Sequence, residues 1–341
     1  MIRLPAALRL LPWFLSMAVL LLTALWHLAP KTENGVAPNP PEKLVIGLPS
    51  IFLTVPVIIA EEKGFLRDAG LDVTYKRFPS GRFALEALFH GEVDVATVAD
   101  TPIVSASLQR RDFVVVGNFL SSDVDSKLLA HPASGIKTVT DLRGRRVAVI
   151  AGTSAEFFLH VLLTDHGLSD TDVLQIPMKP SEIVAALVNR QVDAIAAFEP
   201  YPFRVKKALG NAGVVLIDRN RCITTASYVS FREFSGQRKE ALVRLLRGTG
   251  LAIEWMRSHR TEAMAIIARR LDIAPAELQA EWDDYRYELE LSQRFLTSLE
   301  QQARWLLRTG TAPAVTLPNY LDFIDFSALE AVKPRAITVI H

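Results

Sequence analysis

The sequence is poor in cysteine: Cys222 is the only one among 341 residues. An intramolecular disulfide is therefore excluded, and the folded part must be stabilised by hydrophobic cores. The seven histidines are scattered, without the close spacing that a metal site needs. We therefore expect no metal and no cofactor, and we expect Cys222 to be a buried, unreactive thiol.

Motifs of enzymes and of nucleic-acid-binding proteins are also missing. The chain has neither a Gly-x-Ser-x-Gly elbow nor a Walker glycine loop. Lys and Arg number 38 against 37 for Asp and Glu, so the net charge is only +1. A chain without a cluster of basic residues offers no footprint for nucleic acid. These absences favour a binding protein over an enzyme and exclude a nucleic-acid partner.

The first 29 residues differ from the remainder. Arg3 and Arg9 precede residues 10–29, a stretch without Asp, Glu, Lys or Arg. Its length suits a membrane span, which needs about 20 residues, better than a secretory core of about 7–15. A cleaved signal peptide and an uncleaved signal anchor are both open, and we favour the anchor because no small-x-small cleavage site adjoins the stretch. Both predict export, with residues 30–42 as a linker.

One stretch of the sequence occurs twice. Residues 79–102 read PSGRFALEALFHGEVDVATVADTP, and residues 180–202 read PSEIVAALVNRQVDAIAAFEPYP. Each copy opens with Pro-Ser, which predicts a helix N-cap, and continues with apolar residues at helical spacing. Each ends in a short apolar run, typical of a buried strand, followed by Asp100 or Glu199. A helix that leads into a buried strand is half of a parallel αβ unit.

The duplication predicts an α/β protein of two similar lobes joined by hinge crossovers. We place the first lobe at residues 43–131 and 223–341, and the second, inserted lobe at residues 132–222. The two crossovers between them would act as hinges. From Lys239 onward the apolar spacing predicts a mostly helical C-terminal part.

Four strand-to-helix junctions are expected to line one cleft, because open α/β sheets bind ligands at the carboxyl ends of their strands. Unpaired N–H groups at helix starts favour anions, although a single Ser or Thr there is more often only a helix cap. The junction residues are Ser50 and Phe52, then Ser80, Gly81 and Arg82, then Asp100 and Thr101, and finally Gly152, Thr153 and Ser154.

The carboxylates of Asp100 and Glu199 are negatively charged and therefore do not suit a site for anions alone. Each can accept a hydrogen bond from a ligand amine or hydroxyl, bond to loop N–H groups, or pair with an arginine such as Arg82. For Glu199 these alternatives stay open, and for Asp100 we favour a ligand or cleft-wall role. Phe52 and Tyr201 are candidates for aromatic walls of the cleft, or for core residues.

From Lys43 to about Phe326 the chain resembles periplasmic solute-binding proteins of the nitrate/sulfonate/taurine class, which serve ABC importers. The matching sequences are EKGFL at 62–66, GEVDVA at 91–96, DLRGRRVAV at 141–149 and EPY at 199–201. The resemblance lies in their order and spacing. It implies a two-lobed Venus-flytrap fold of the type II periplasmic-binding class, whose cleft is lined by the junctions named above and by the segment at Glu199.

The resemblance also implies a function. We expect a monomeric, periplasmic protein, anchored to the inner membrane by residues 10–29, that captures a small polar or anionic solute. Sulfonates, nitrate, taurine and pyrimidine-like compounds are the expected ligand classes, and an ABC permease with its ATPase is the expected partner. Two alternatives stay open: an enzyme of the pyrimidine-precursor-synthase type on the same fold, and a ligand sensor for a separate membrane partner.

Overall fold

The computed structural model describes residues 40–210, 214–217, 219, 222–310 and 316–340. Residues 1–40 and 41–341 form two separate units, and all the described residues except Pro40 belong to the second. The predicted signal segment and residues 30–39 of the predicted linker lie outside the described residues. Within the described part of the chain, no helix is both long enough and apolar enough to cross a membrane.

Eleven strands are present in the described residues. In chain order they are β1 (Glu42–Pro49), β2 (Leu71–Phe78), β3 (Val95–Ala99), β4 (Phe113–Ser122), β5 (Ser126–Ala130), β6 (Arg146–Val149), β7 (Leu174–Pro177), β8 (Ala194–Phe198), β9 (Val214–Leu216), β10 (Thr224–Phe231) and β11 (Tyr285–Glu290).

Helices cover both sheets and form most of the C-terminal part. In chain order they are α1 (Val55–Lys63), α2 (Phe65–Asp68), α3 (Gly81–Phe89), α4 (Asp100–Ser107), α5 (Ser154–Asp165), α6 (Ile183–Val188), α7 (Tyr201–Leu209), α8 (Arg232–Gln237), α9 (Lys239–Ser258), α10 (Arg260–Leu271), α11 (Pro275–Glu281), α12 (Gln293–Arg308) and α13 (Ser327–Val332).

The two sheets repeat one topology. The first has the strand order β11-β4-β10-β3-β1-β2, and the second has the order β7-β6-β8-β5-β9. Each has a central strand, β1 or β6, with parallel neighbours on both sides. Each also has an antiparallel strand next in line, β10 beside β3 and β5 beside β8. The predicted α/β duplication is therefore confirmed.

The repeated stretch of sequence occupies equivalent places in the two sheets. Asp94 precedes β3 and accepts a hydrogen bond from the N–H of Val45 in β1 at 2.7 Å. Asp193 precedes β8 and accepts one from the N–H of Arg146 in β6 at 2.9 Å. Each carboxylate thus ties a parallel strand to the central strand of its own sheet. The shared Val-Asp pair is structural.

Both Pro-Ser pairs were predicted to be helix N-caps, and the structure differs between the two copies. Ser80 stands at the N-cap position of α3 with extended backbone, but its side chain makes no capping hydrogen bond. In the second copy the prediction is wrong, because α6 begins at Ile183, beyond Ser181.

The strand pairing changes the first of the predicted lobe boundaries. Strand β5 pairs with β8 and β9, so it belongs to the second sheet. The chain passes from the first sheet to the second at residues 123–125 and returns between the end of β9 at Leu216 and the start of β10 at Thr224. We propose that these two segments are the hinges, which moves the first boundary from 131 to this earlier crossover. The division into two lobes itself stays a prediction.

Gly248 and Gly250 in α9 allow a matched test of close helix packing. A Cβ at Gly248 would lie 2.6 Å from Cδ2 of Leu66 and 3.0 Å from the carbonyl oxygen of Phe65, whereas at Gly250 it would meet Cδ1 of Leu289 at 3.2 Å. Alanine favours a helix interior by about 1 kcal/mol over glycine, so Gly250→Ala should leave the free energy of unfolding unchanged or raise it.

In contrast, Gly248→Ala should lower the free energy of unfolding by about 1–3 kcal/mol, because the backbone of α2 must move away. Urea denaturation of the two variants measures the difference. Equal stabilities would contradict the packing argument.

Candidate functional site

Three of the four predicted junctions, at residues 80–82, 100–101 and 152–154, meet around Arg82 in α3, whereas Ser50 and Phe52 do not line the cavities there. Nη1 of Arg82 donates a hydrogen bond to the carbonyl oxygen of Ala151 at 2.9 Å, and its Nε pairs with Glu86 at 3.0 Å. Because α3 follows β2 and Ala151 follows β6, this hydrogen bond joins the carboxyl ends of strands in different sheets. Those ends therefore face each other, which is the arrangement of a ligand-binding cleft.

A cavity lies on each side of the Arg82 side chain. The smaller has a volume of about 350 Å³, and its walls include Ser80, Phe83, Ile150, Met178 and Lys179. The larger has a volume of about 460 Å³, and its walls include Thr101, Pro102, Gly152, Glu156 and Leu306. Both volumes suit a small solute. A further open groove of about 1180 Å³ lies where β4 begins and β10 ends, and it shares Gln109 and Arg110 with the wall of the larger cavity.

Ser80 places an unsatisfied hydroxyl at the wall of the smaller cavity. Its side chain is 2% exposed, and its Oγ has no hydrogen-bond partner in the structure. The neighbouring Gly81 lets the backbone beside Ser80 come close to β3, because a Cβ on residue 81 would lie only 3.0 Å from Cα of Val98. A buried hydroxyl without a partner is costly, so the position favours a ligand that supplies one.

The turn at residues 152–154 is satisfied from within the chain. Gly152 has a φ of 71°, and its N–H donates to Oε2 of Glu156 at 2.6 Å. The hydroxyl of Thr153 donates to the carbonyl oxygen of Ile150 at 2.6 Å, and Ser154 is buried as the first residue of α5. Burial raises the pKa of Glu156. The predicted anion donor at Gly152 therefore already has a carboxylate partner.

Asp100 is buried at the start of α4. Its Oδ1 accepts from the N–H of Thr101, and its Oδ2 accepts from the hydroxyl of Ser298 in α12, both at 3.2 Å. The hydroxyl of Thr101 donates to Oε1 of Gln302 at 2.6 Å. Burial raises the pKa of Asp100 to about 7. All these partners are uncharged, and Arg82 is not among them.

Glu199 belongs to a buried ion network. Its Oε1 accepts from Nζ of Lys127 at 2.6 Å, and its Oε2 accepts from the N–H of Phe203 at 3.2 Å. The same ammonium group donates to Glu281 at 2.7 Å, and Lys206 pairs with Glu281 at 2.9 Å. Of the alternatives left open for Glu199, the structure shows an ion pair and a loop N–H hydrogen bond within the chain. The cation of the ion pair is Lys127 and not Arg82.

The network keeps Lys127 charged. Its side chain is only 5% exposed. Although burial alone lowers the pKa of Lys127, the carboxylates of Glu199 and Glu281 raise it above its ordinary value. Sequence reasoning missed this residue, although a lysine at the head of the apolar strand β5 required a buried partner.

Sequence reasoning also missed Asp125. This residue lies in the first crossover, residues 123–125, and contacts both sheets. Its Oδ1 accepts from the hydroxyl of Tyr285 in β11 at 3.0 Å. Its carbonyl oxygen accepts from the N–H of Glu199 at 3.3 Å. The second carboxylate oxygen, Oδ2, is buried without a hydrogen-bond partner in the structure. Burial raises the pKa of Asp125 to about 7.

Ser50 and Phe52 follow β1. Ser50 is exposed, and its N–H donates to the carbonyl oxygen of Phe78 at 3.2 Å. Phe52 is fully buried, with its ring 4.2 Å from that of Tyr285. Its N–H donates to the carbonyl oxygen of Glu199 at 3.4 Å, which links the start of the first sheet's helical layer to the second sheet.

Tyr201 provides another link across the cleft. Its ring is buried against Phe198 with centroids 5.5 Å apart. Its hydroxyl donates to the carbonyl oxygen of Pro79 at 3.4 Å, next to the unsatisfied Ser80. Both aromatic candidates therefore act as packing and bridging residues in this structure.

Comparison with known proteins identifies related sequences. The family model described as "NMT1/THI5 like" matches residues 52–263. Putative aliphatic sulfonates-binding proteins of Escherichia coli (strain K12) and Bacillus subtilis (strain 168) are 31% and 28% identical to this chain over 216 and 213 residues. These matches cover 63% and 61% of this chain. They span 66% and 64% of the relatives, slightly less than two thirds of their lengths.

A solved structure shows the same architecture. The alkanesulfonate-binding protein SsuA from Xanthomonas axonopodis pv. citri, bound to MOPS, is 22% identical and superimposes with a TM-score of 0.73. The superposition covers 81% of this chain and 96% of that chain. At this identity the likeness concerns the fold alone, and it confirms the predicted periplasmic-binding-protein fold.

The buried network can be tested by removing one cation at a time. Lys127→Met leaves Glu199 buried without its ammonium partner, which should lower the free energy of unfolding by about 3–5 kcal/mol. Lys206 is 26% exposed at its side chain, so Lys206→Met should cost about 1 kcal/mol or less. Urea denaturation measures both changes. Equal losses would contradict a central role for Lys127.

Asp100 should make stability depend on pH. Its pKa of about 7 in the folded chain exceeds the value of about 4 in an unfolded chain. The protonated form therefore favours folding: its contribution is complete below about pH 4 and is lost as the pH rises towards about 7. Asp100→Asn should flatten the fall in melting temperature over this range. An unchanged pH profile would show that Asp100 does not titrate there.

Proposed function

The chain belongs to the NMT1/THI5-like family, and from this premise we propose that it is a solute-binding protein of the nitrate/sulfonate/taurine class. It captures a small polar solute between the facing strand ends of its two sheets. The observation that carries the proposal is the buried, unpartnered hydroxyl of Ser80 at the wall of a cavity between those ends. The cationic side chains of Arg82 and Lys179 line the same cavity and suit an anionic group such as a sulfonate.

Binding works by closure of the cleft. The hydrogen bond from Arg82 to Ala151 and that from Tyr201 to Pro79 both span the two sheets. A solute that contacts residues of both sheets binds the closed arrangement better than an open one, and so shifts the equilibrium towards it. Movement about the two crossovers between the sheets opens and closes the cleft.

Location and partners follow from the proposed role. The chain is exported to the periplasm and delivers its solute to an ABC permease with its ATPase, as a monomer held at the inner membrane by residues 10–29. The names of the sulfonate-binding relatives support this role.

The proposed protein binds its solute without changing it. Cys222 is the only thiol in the sequence and is 6% exposed. Burial, followed by the charges of Asp100 and Asp125, raises the pKa of Cys222 well above its ordinary value. A buried neutral thiol is a poor nucleophile, which argues against a cysteine-dependent enzyme. Formation of a product from a bound solute by the purified chain would contradict the binding role.

Ser80→Ala tests the site without disturbing the fold. The hydroxyl makes no hydrogen bond in the structure, so its removal should leave the melting temperature unchanged or slightly higher. It should weaken solute binding by about tenfold, because a hydrogen bond to the solute is lost. Calorimetric titration measures the affinity. Ser181→Ala changes the exposed serine of the second copy and serves as the control.

The solute for this titration comes from a thermal-shift panel of sulfonates, nitrate, bicarbonate, amino acids and pyrimidines. A ligand at 100 times its dissociation constant adds about 2.7 kcal/mol of stability, which a melting curve detects. Equal binding by the wild type and Ser80→Ala would contradict the site. No response across the panel would contradict the proposed function.

A further inference from the structure

Helix α12 is attached to the first sheet. It packs against α4, which in turn packs on β3 and β10 of that sheet. Two hydrogen bonds fasten the two helices together: the hydroxyl of Ser298 donates to Oδ2 of Asp100 at 3.2 Å, and that of Thr101 donates to Oε1 of Gln302 at 2.6 Å. A movement of the first sheet therefore carries α12 with it.

Helix α5 is attached to the second sheet, where it packs on β5 and β8. His160 of α5 is held on the same side, because its Nδ1 lies 2.8 Å from Oδ2 of Asp170, shortly before β7. Helices α5 and α12 thus belong to different sheets. Any movement of the sheets about the two crossovers changes the contact between these helices.

Three aromatic rings form the contact between α5 and α12. The ring centroid of Trp305 in α12 lies 5.3 Å from that of Phe157 and 5.6 Å from that of His160, both in α5. Trp305 is 4% exposed and Phe157 is 7% exposed. Aromatic rings at such distances attract each other beyond the effect of burial alone. These three residues, the ring cluster, therefore link the helical layers of the two sheets.

The ring cluster is incompletely packed. A cavity of about 290 Å³ lies against it, and its other walls include Val161 of α5 and the exposed Arg304 and Arg308 of α12. Nε1 of Trp305 is buried without a hydrogen-bond partner in the structure. A permanent core is closely packed and pairs its buried polar groups, and this contact has neither property. Separation of the two helices gives the indole N–H access to water, which offsets part of the lost ring contact.

The ring cluster adjoins the cleft without lining it. Glu156, next to Phe157, and Leu306, next to Trp305, are both walls of the larger cavity beside Arg82. The three ring residues themselves line neither of the cavities beside Arg82. A solute in the larger cavity therefore has the ring cluster next to its walls but not in contact with it.

We propose that Trp305 is a positioning residue for solute binding: its contacts with Phe157 and His160 form when the cleft closes, and they set how long the solute is retained. The inference rests on the proposed function, because it concerns closure of the same cleft, and it adds residues that act on affinity without touching the solute. The solute and the ring cluster favour the same closed arrangement, so a weaker ring contact lowers the affinity for the solute.

Trp305→Ala tests the loss of this contact. The probe is ethanesulfonate or, where the thermal-shift panel selects another compound, that compound, titrated calorimetrically into the purified full-length chain. The variant should bind the probe at least about tenfold more weakly, because an aromatic contact is lost from the closed arrangement alone. Trp305→Phe keeps a ring at this position and should stay within about threefold of the wild type.

Rates separate a weaker closed state from a damaged fold. In stopped-flow measurements, Trp305→Ala should release the probe about tenfold faster, while its association rate stays within about twofold of the wild type. A misfolded fraction would instead lower the number of binding sites in the calorimetric titration and leave the affinity of the folded fraction unchanged.

Trp255 provides a matched control within one sheet. Its ring stacks on that of His259 at 4.8 Å and lies 6.3 Å from that of Phe65, so this cluster contains the same three ring types. Phe65 in α2 and Trp255 in α9 both belong to helices that pack on the first sheet. Trp255→Ala should lower the melting temperature and leave the affinity within about twofold of the wild type. An equal loss of affinity in Trp255→Ala and Trp305→Ala would indicate only a general loosening and would overturn the inference.

Val161→Leu tests a gain of contact. Val161 is half-buried and lines the cavity beside the ring cluster, so a larger side chain extends into the space between α5 and α12. It should tighten binding of the probe by about threefold, because filling the cavity stabilises the closed arrangement. Damage to the fold does not produce a gain, so this variant is decisive when Trp305→Ala fails to fold. Unchanged or weaker binding by Val161→Leu would then overturn the inference.

Wild-type affinity and a wild-type dissociation rate in Trp305→Ala overturn the inference and leave the proposed function standing. No response of the wild type to any compound of the panel overturns the inference and the proposed function together.

Discussion

The arrangement of the centre of the molecule depends on the ion pairs that the buried ammonium group of Lys127 makes. This group brings together Glu199 after β8 and Glu281 at the end of α11, at 2.6 and 2.7 Å. Taking a charge of this kind out of water costs several kcal/mol, which is recovered only when the geometry of its partners is fixed. The second sheet, the loop after β8 and the C-terminal helical part are therefore held in one arrangement.

The crossovers adjoin this network, and the polar groups around them connect the two sheets. The carbonyl oxygen of Asp125 accepts from Glu199, while its carboxylate accepts from Tyr285 in the first sheet. Phe52 adds a backbone hydrogen bond to Glu199 and a ring contact with Tyr285. The same region contains the buried carboxylates of Asp100 and Asp125, whose hydrogen-bond donors are uncharged.

Local patterns predicted much of the fold. The alternation of residues 71–78 is encoded locally and forms β2, and the left-handed Gly64, with φ of 77°, ends α1. Strand β11 was missed, although Tyr285, Tyr287 and Leu289 alternate with charged residues. It lies between helical segments, and its partner β4 is remote in the sequence.

The site was less predictable because it depends on contacts between distant residues. Arg82 was chosen as a possible partner of Asp100 or Glu199, but it pairs with Glu86 and bonds to Ala151, 69 residues away. The network of Lys127 reaches Glu281, 154 residues away, and Asp100 is held by Ser298. No pattern within one segment encodes these pairings. The junction residues were identifiable as a group, but their partners were not.

The helix starts of the cleft explain why it is not simply an anion site. Asp100 is the first residue of α4 and accepts from the N–H of Thr101, and Glu156 in the first turn of α5 accepts from that of Gly152. At these two starts, the positive helix end already faces a carboxylate of its own chain. The start of α3 has no acid in its first turn. There the hydroxyl of Ser80 lies beside the cations of Arg82 and Lys179. Of these three helix starts, that of α3 is therefore the one left without an acid in its first turn, and it is the one best suited to an anionic group of a solute.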